Sequence, residues 1–78
     1  MKWTRRFELK MLYRPEVEWE WCTRVIKSPE EVIEQSDGTF KMWGFIEEAG
    51  KYLRVITLED RETVENAFLD RSYTRRRR

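Results

Sequence analysis

Arginine raises the first question of chemistry in this sequence. Arg54 breaks the otherwise apolar run YLRVITL, Arg71 follows the strand-like stretch TVENAFLD, and five of the last eight residues are arginine. A guanidinium offers a planar fork of donors that matches phosphate oxygens in pairs. Lys51 and Tyr52 stand just before Arg54, and Tyr73 follows Arg71 at a distance of two residues. Trp43, Phe45 and Tyr52 are interleaved with Lys41 and Arg54, a pattern that can stack nucleobases. The same residue types also suit a protein contact or a surface between two copies of the chain. A plainer reading stands beside these. Arg54 then lies along the sheet with its head paired to Glu65 across the strands, and Arg75, Arg76, Arg77 and Arg78 form a solvated tail.

Other chemistries are excluded by what the chain lacks. It has no histidine and a single cysteine, Cys22. That rules out an internal disulfide and any zinc site built from Cys and His. Neither a metal nor a cofactor is expected. Cys22 falls on an apolar helical face, where a small core residue is the simple reading. The glycines, Gly38, Gly44 and Gly50, are scattered, so no glycine-rich phosphate loop exists.

The elements that must position these side chains come from a chain of 78 residues, enough for one domain. Four Trp, four Phe and three Tyr supply its core, each worth roughly 1.5–3 kcal/mol when fully buried. The net charge of +1 hides an uneven distribution. Residues 1–14 carry five Lys/Arg against one Glu, residues 15–70 carry six against fourteen acids, and residues 71–78 carry five arginines and no acid. An acidic middle between basic ends makes a phosphate-binding face if the fold joins the ends; otherwise the ends merely neutralise the middle. The first apolar stretch is broken by Lys2, Arg5, Arg6, Glu8 and Lys10, and no run approaches the ~18 apolar residues of a membrane span. No membrane contact is expected, and a cytoplasmic location is.

WTRRFELKM alternates, which predicts an N-terminal strand over residues 3–11. Val17, Trp21, Cys22, Val25 and Ile26 then collect on one helical face, predicting a helix over residues 16–27 with Pro15 at its start. Val17, Trp21, Val25 and Ile26 are expected to pack on Phe40, Met42, Leu53 and Val55. Ser28 and Glu31 have the spacing of a capping box, while Val32 and Ile33 fit a strand equally well. Asp37–Gly38 marks a turn. TFKMWGFI, YLRVITL and TVENAFLD alternate and predict a three-stranded antiparallel meander. In the last strand, Val64, Asn66 and Phe68 oppose Thr63, Glu65, Ala67 and Leu69. The expected whole is one α+β domain over residues 1–72, with a helix on one sheet face, followed by a disordered basic tail over 73–78.

This order resembles the RelE/BrnT-type toxin superfamily of small bacterial domains. More closely, WGFIEEAGKYLRVITLEDRETVENAFLDR, residues 43–71, is similar to a group of short bacterial and phage-type proteins. That group is marked by a tryptophan–glycine–aromatic strand, a glycine hairpin, KYLRV and a closing AF-DR. The resemblance implies a RelE-like fold and, as an activity, metal-independent RNA cleavage by a toxin paired with a small protein antitoxin. Its implied site residues are Arg54 and Arg71, with Lys51 and Tyr73 as accessories. Cleavage of this kind needs a base for the 2′-OH, cations for the phosphorane and an acid for the leaving oxygen. Arg54 and Arg71 would clamp the phosphate, Glu65 or Lys51 would be the base, and Arg75–Arg78 would draw RNA or the ribosome. The alternative is a non-catalytic module that dimerises or binds a protein through Trp43, Phe45 and Tyr52.

Overall fold

Thr4 starts the first helix. Its backbone is extended and its Oγ1 accepts a hydrogen bond from the Phe7 N–H at 3.1 Å, which satisfies one of the free donors of the first turn. In this computed structural model, which describes residues 1–73, the N-terminal strand is only Lys2–Trp3 (β1), and Arg5–Met11 is helical (α1). The strand expected over residues 3–11 is therefore corrected. Phe7 and Met11 are four apart, so a helix turns both toward the core, where Phe7 is fully buried and Met11 packs against it. A strand would also have sent Arg5 and Leu9 inward; both are exposed.

The second helix is Trp19–Lys27 (α2), starting three residues later than its periodicity predicts. Arg14 explains the delay. Its Nη1 donates to the Ala67 carbonyl at 2.7 Å and to Asn66 Oδ1 at 2.8 Å, which ties the connecting segment to the last strand. Val17 is buried from a turn ahead of the helix. Trp21, Cys22 and Val25 face inward as expected, whereas Trp19 lies at the surface against Trp3 and Phe7. Burial pushes the Cys22 thiol up to about 12, so it stays protonated and inert.

Four more strands follow: Glu31–Glu34 (β2), Phe40–Ile46 (β3), Lys51–Thr57 (β4) and Thr63–Asp70 (β5). The Ser28–Glu31 segment thus leads into a strand, not a helical turn. The sheet has the order β1-β5-β4-β3-β2, with β1 parallel to β5 and every other pair antiparallel. The fold is α+β, with two helices and a five-stranded mixed sheet. Gly38 (φ +91°) and Gly50 (φ +65°) occupy turn positions that other residues adopt only with strain.

One register detail changes the outer face. Thr57 pairs with Val64, but Ile56 pairs with Asn66, so Glu65 sits in a bulge. The extra residue reverses the side-chain phase along the rest of β5. Val64, Ala67 and Leu69 pack in the core, while Asn66, Phe68 and Asp70 stand opposite Ile56, Arg54 and Tyr52. The expected grouping of Val64 with Asn66 and Phe68 is corrected accordingly. No helix among the described residues is long and apolar enough to cross a membrane.

Both helices feed the same core. Phe7 and α2 residues Trp21, Cys22 and Val25 join Met42, Ile46, Leu53, Val55, Val64 and Ala67. Gly44 lets α2 approach β3: a Cβ there would stand 2.9 Å from Val25 Cγ2. Gly44→Ala should therefore destabilise the fold by about 1–3 kcal/mol. The double variant with Val25→Ala should lose clearly less than the sum of the two single losses, because the second change removes the clash. Urea denaturation of the four proteins measures both quantities.

Candidate nucleic-acid interface

With both helices on one side, the other face of the sheet presents Glu31 and Ile33 from β2, Lys41, Trp43 and Phe45 from β3, Tyr52, Arg54 and Ile56 from β4, and Phe68 and Asp70 from β5. The ladders set Glu31, Trp43, Arg54 and Phe68 side by side in one row, and Phe45, Tyr52 and Asp70 in the next.

Asp70 organises this surface. Its side chain is only 10% exposed. Oδ2 accepts a hydrogen bond from Trp43 Nε1 at 3.1 Å and lies 3.8 Å from Arg54 Nε. Oδ1 accepts from the Ser72 N–H at 3.1 Å and from Ser72 Oγ at 2.9 Å, closing an Asx turn. Burial alone would raise the carboxyl's pKa. The hydrogen bonds from Trp43 and Ser72, followed by the charge of Arg54, overcome it and hold the group below its ordinary value.

The Ser72 turn sends the chain back over the sheet. Tyr73 lies on Trp43 with ring centroids 4.8 Å apart and planes 12° from parallel, meets Tyr52 edge-on at 4.8 Å, and donates its hydroxyl hydrogen to Glu31 Oε1 at 2.5 Å. Trp43 is left only 5% exposed. Burial first, then the bond to Glu31, pushes the phenol up to about 12. Phe45 remains 45% exposed, its ring edge-on to Tyr52. Glu30 braces this end: its carboxylate accepts from the Phe45 N–H at 3.0 Å and from the Tyr52 hydroxyl at 3.4 Å.

The expected site residues separate into three places. Lys51, Arg71 and Tyr73 line one open cleft of about 420 Å³ with Phe45, Tyr52 and Asp70. Arg54 does not line that cleft; it stands in the neighbouring row of the sheet, its guanidinium 4.3 Å from the centroid of Phe68, an arrangement that favours the cation over the ring face. The acid beside Arg54 is Asp70; the expected pairing with Glu65 is corrected. Glu65 lies in the bulge, five residues back along β5 from Asp70, on the order of 15 Å at about 3.3 Å per residue. The four terminal arginines, Arg75–Arg78, lie outside the described residues. Trp43, Phe45 and Tyr52 do share one face, but Tyr73 covers the first of them.

Sequence reasoning missed Asp70, Glu31 and Glu30. Asp70–Arg71–Ser72 carries a legible signal, since Asp two residues before a free N–H is an Asx-turn pattern. Glu31 carries none, because its place beside Trp43 depends on strand register. A comparison with family models, curated proteins and solved structures finds no match for this chain.

Asp70 links acid sensitivity to this surface. A carboxyl whose folded pKa is depressed stabilises the fold above its unfolded value, roughly 3.9, and loses that contribution as pH falls through the lower folded value. Asp70→Asn should cost about 1–3 kcal/mol at neutral pH. It should also flatten the decline in stability below about pH 4 relative to the parent. Denaturation midpoints measured from pH 2 to 7 give both readings.

Proposed function

We propose that this protein is a RelE-like domain that binds single-stranded RNA across the outer sheet face. The observation that carries the reading is the shared cleft. Lys51 and Arg71 stand beside exposed Phe45 and partly exposed Tyr52 and Tyr73. Cations bordering stacked aromatics can hold phosphates while the bases lie on the rings. Trp43 and Tyr73 already show that this face accepts a parallel stack.

Toxin-type RNA cleavage is the activity that the resemblance adds. The division of the arginines favours Lys51 and Arg71 as the phosphate clamp, with Arg54 as a positioning group in the neighbouring row of the sheet. Tyr73, pushed up to about 12, keeps its proton at neutral pH and so does not serve as the base. Glu65 is too far along β5 to act as the base. A small protein antitoxin is the partner this reading implies.

A second reading, a protein-interaction module, has its own support on α1 and the segment after it. Leu9, Leu12 and Tyr13 fall at i, i+3 and i+4, with Leu12 73% and Tyr13 84% exposed. That stripe suits an antitoxin or a second copy better than covered Trp43 does. Leu12→Glu should then weaken partner binding or dimerisation, read by sedimentation at micromolar concentration, without changing RNA binding.

The RNA reading is tested with a labelled single-stranded oligonucleotide. The Lys51→Ala, Arg71→Ala double variant should bind at least tenfold more weakly at low salt. Its log affinity should fall less steeply with log salt, by about 1.4, since each single-strand phosphate contact contributes about 0.7. Growth arrest on expression and cleavage of ribosome-bound RNA should disappear with it. Binding that is the same in parent and double variant would refute this assignment.

A further inference from the structure

We infer that the outer face holds a binding site for one guanine base, formed by Trp43, Tyr52 and the Glu31 carboxylate, which Tyr73 fills in the free protein. This rests on the RNA-binding reading and gives it a base preference. Tyr73 shows what the site accepts: a planar ring parallel to the indole, with a hydrogen-bond donor at its rim pointing at Glu31. A nucleobase stacked on Trp43 would present its Watson–Crick edge in the same direction.

The frame of the site is rigid. Glu31 is directly opposite Trp43 in the β2–β3 ladder, and the indole is fixed from its other side by the Nε1–Asp70 bond. Carboxylate and stacking surface therefore keep their spacing without help from a loop. Their chemistry selects among the bases. A carboxylate accepts through two adjacent oxygens. Guanine offers two adjacent donors, N1–H and the 2-amino group, on the Watson–Crick edge. Adenine and cytosine offer one amino group there, and uracil one N–H. Guanine alone satisfies both oxygens at once, and a site built on paired hydrogen bonds rejects a base that leaves one unmade.

The sugar–phosphate chain also has a place to go. Tyr52 and Tyr73 border the cleft that Lys51 and Arg71 line. A base on Trp43 thus has a cation-bearing cleft alongside for its phosphates. Tyr73 leaves by opening the turn at Arg71 and Ser72, both of which are exposed. Because the site is filled until it leaves, the affinity seen from outside is lowered by the fraction of molecules that are open.

The test uses the full chain and the labelled pentanucleotides r(UUGUU), r(UUAUU) and r(UUCUU), followed by fluorescence anisotropy. The parent should prefer the guanine oligomer. Tyr73→Ala should tighten that oligomer roughly fivefold or more by emptying the site, with a smaller gain for the other two. Tyr73→Phe keeps the ring and frees Glu31, so it should sharpen the guanine preference even if Tyr73→Ala does not fold. Glu31→Gln replaces one acceptor by a donor and should bring the three oligomers within about twofold of one another while preserving salt-dependent binding. A guanine preference that survives Glu31→Gln overturns the proposal, as does guanine binding that weakens or stays unchanged in both Tyr73 variants. If all three oligomers bind the parent alike and Lys51→Ala, Arg71→Ala removes that binding, the guanine site fails and the RNA reading stands. If no oligomer binds the parent or any variant, both fail.

Discussion

The mostly covered carboxylate of Asp70, its side chain 10% exposed, is the constraint on which the outer half of this molecule depends. It must find partners, because an ionised group removed from water without them is costly. Its partners are the indole of Trp43, the guanidinium of Arg54 and the turn at Ser72. Each fixes a different part of the surface. Trp43 is oriented on β3, Arg54 is kept over Phe68 on β4 and β5, and the chain is reversed so that Tyr73 meets Trp43. Pairing three strands would not by itself decide where these side chains point. One acceptor shared among them does.

The bulge at Glu65 places that acceptor. Without the extra residue, Asp70 would stand on the helix-covered side, where the neighbours of β5 are Leu53 and Val55 and nothing could pair with a carboxylate. With it, Val64 stays inside at the β1 end, and Ala67 and Leu69 stay inside at the other. Arg14 exploits the same irregularity. It donates to Asn66 Oδ1 and to the Ala67 carbonyl just beyond the bulge, satisfying strand-edge groups that β1, only two residues long, does not reach. The late start of α2 and the phase of β5 thus have a common origin in one inserted residue.

This explains which parts of the fold were legible in the sequence. β3 and β4 alternate cleanly, because one of their faces is wholly covered by helix, and their residues were read correctly. The inward residues of α2 were also legible, from a 3.6-residue spacing that begins in the turn before the helix. WTRRFELKM misled because Phe7 and Met11 satisfy both a period of two and a helical i, i+4 spacing; the Thr4 cap was the signal that separates them. The phase of β5 was not legible beyond Glu65, since a bulge leaves no mark in an alternating pattern, and the error passed to the site. An acid was expected beside Arg54 and an acid is there, but register, not composition, decides that it is Asp70. The fold class survives such errors. A site defined by which side chains meet does not.

Arg54 shows why an arginine in an apolar strand is a poor guide to chemistry by itself. Its Nε approaches Asp70 at 3.8 Å, too far for a hydrogen bond, and its plane is engaged by Phe68. A guanidinium held in this way has traded hydration for ring contact and a single diffuse ion pair. To clamp a phosphate it would have to turn its fork away from Asp70, leaving that mostly covered carboxylate with less compensation. Lys51 and Arg71 carry no such commitment: they line open solvent, and contact with an anion would cost them little reorganisation. The placement of charge points the same way. Asp70 offsets Arg54, while Glu30 and Glu31 accept from neutral tyrosine hydroxyls and the Phe45 amide and keep their negative charge. The outer face is therefore of mixed sign, with Lys51 and Arg71 gathered at the cleft and the carboxylates of Glu30 and Glu31 bound to the aromatic residues of the same face.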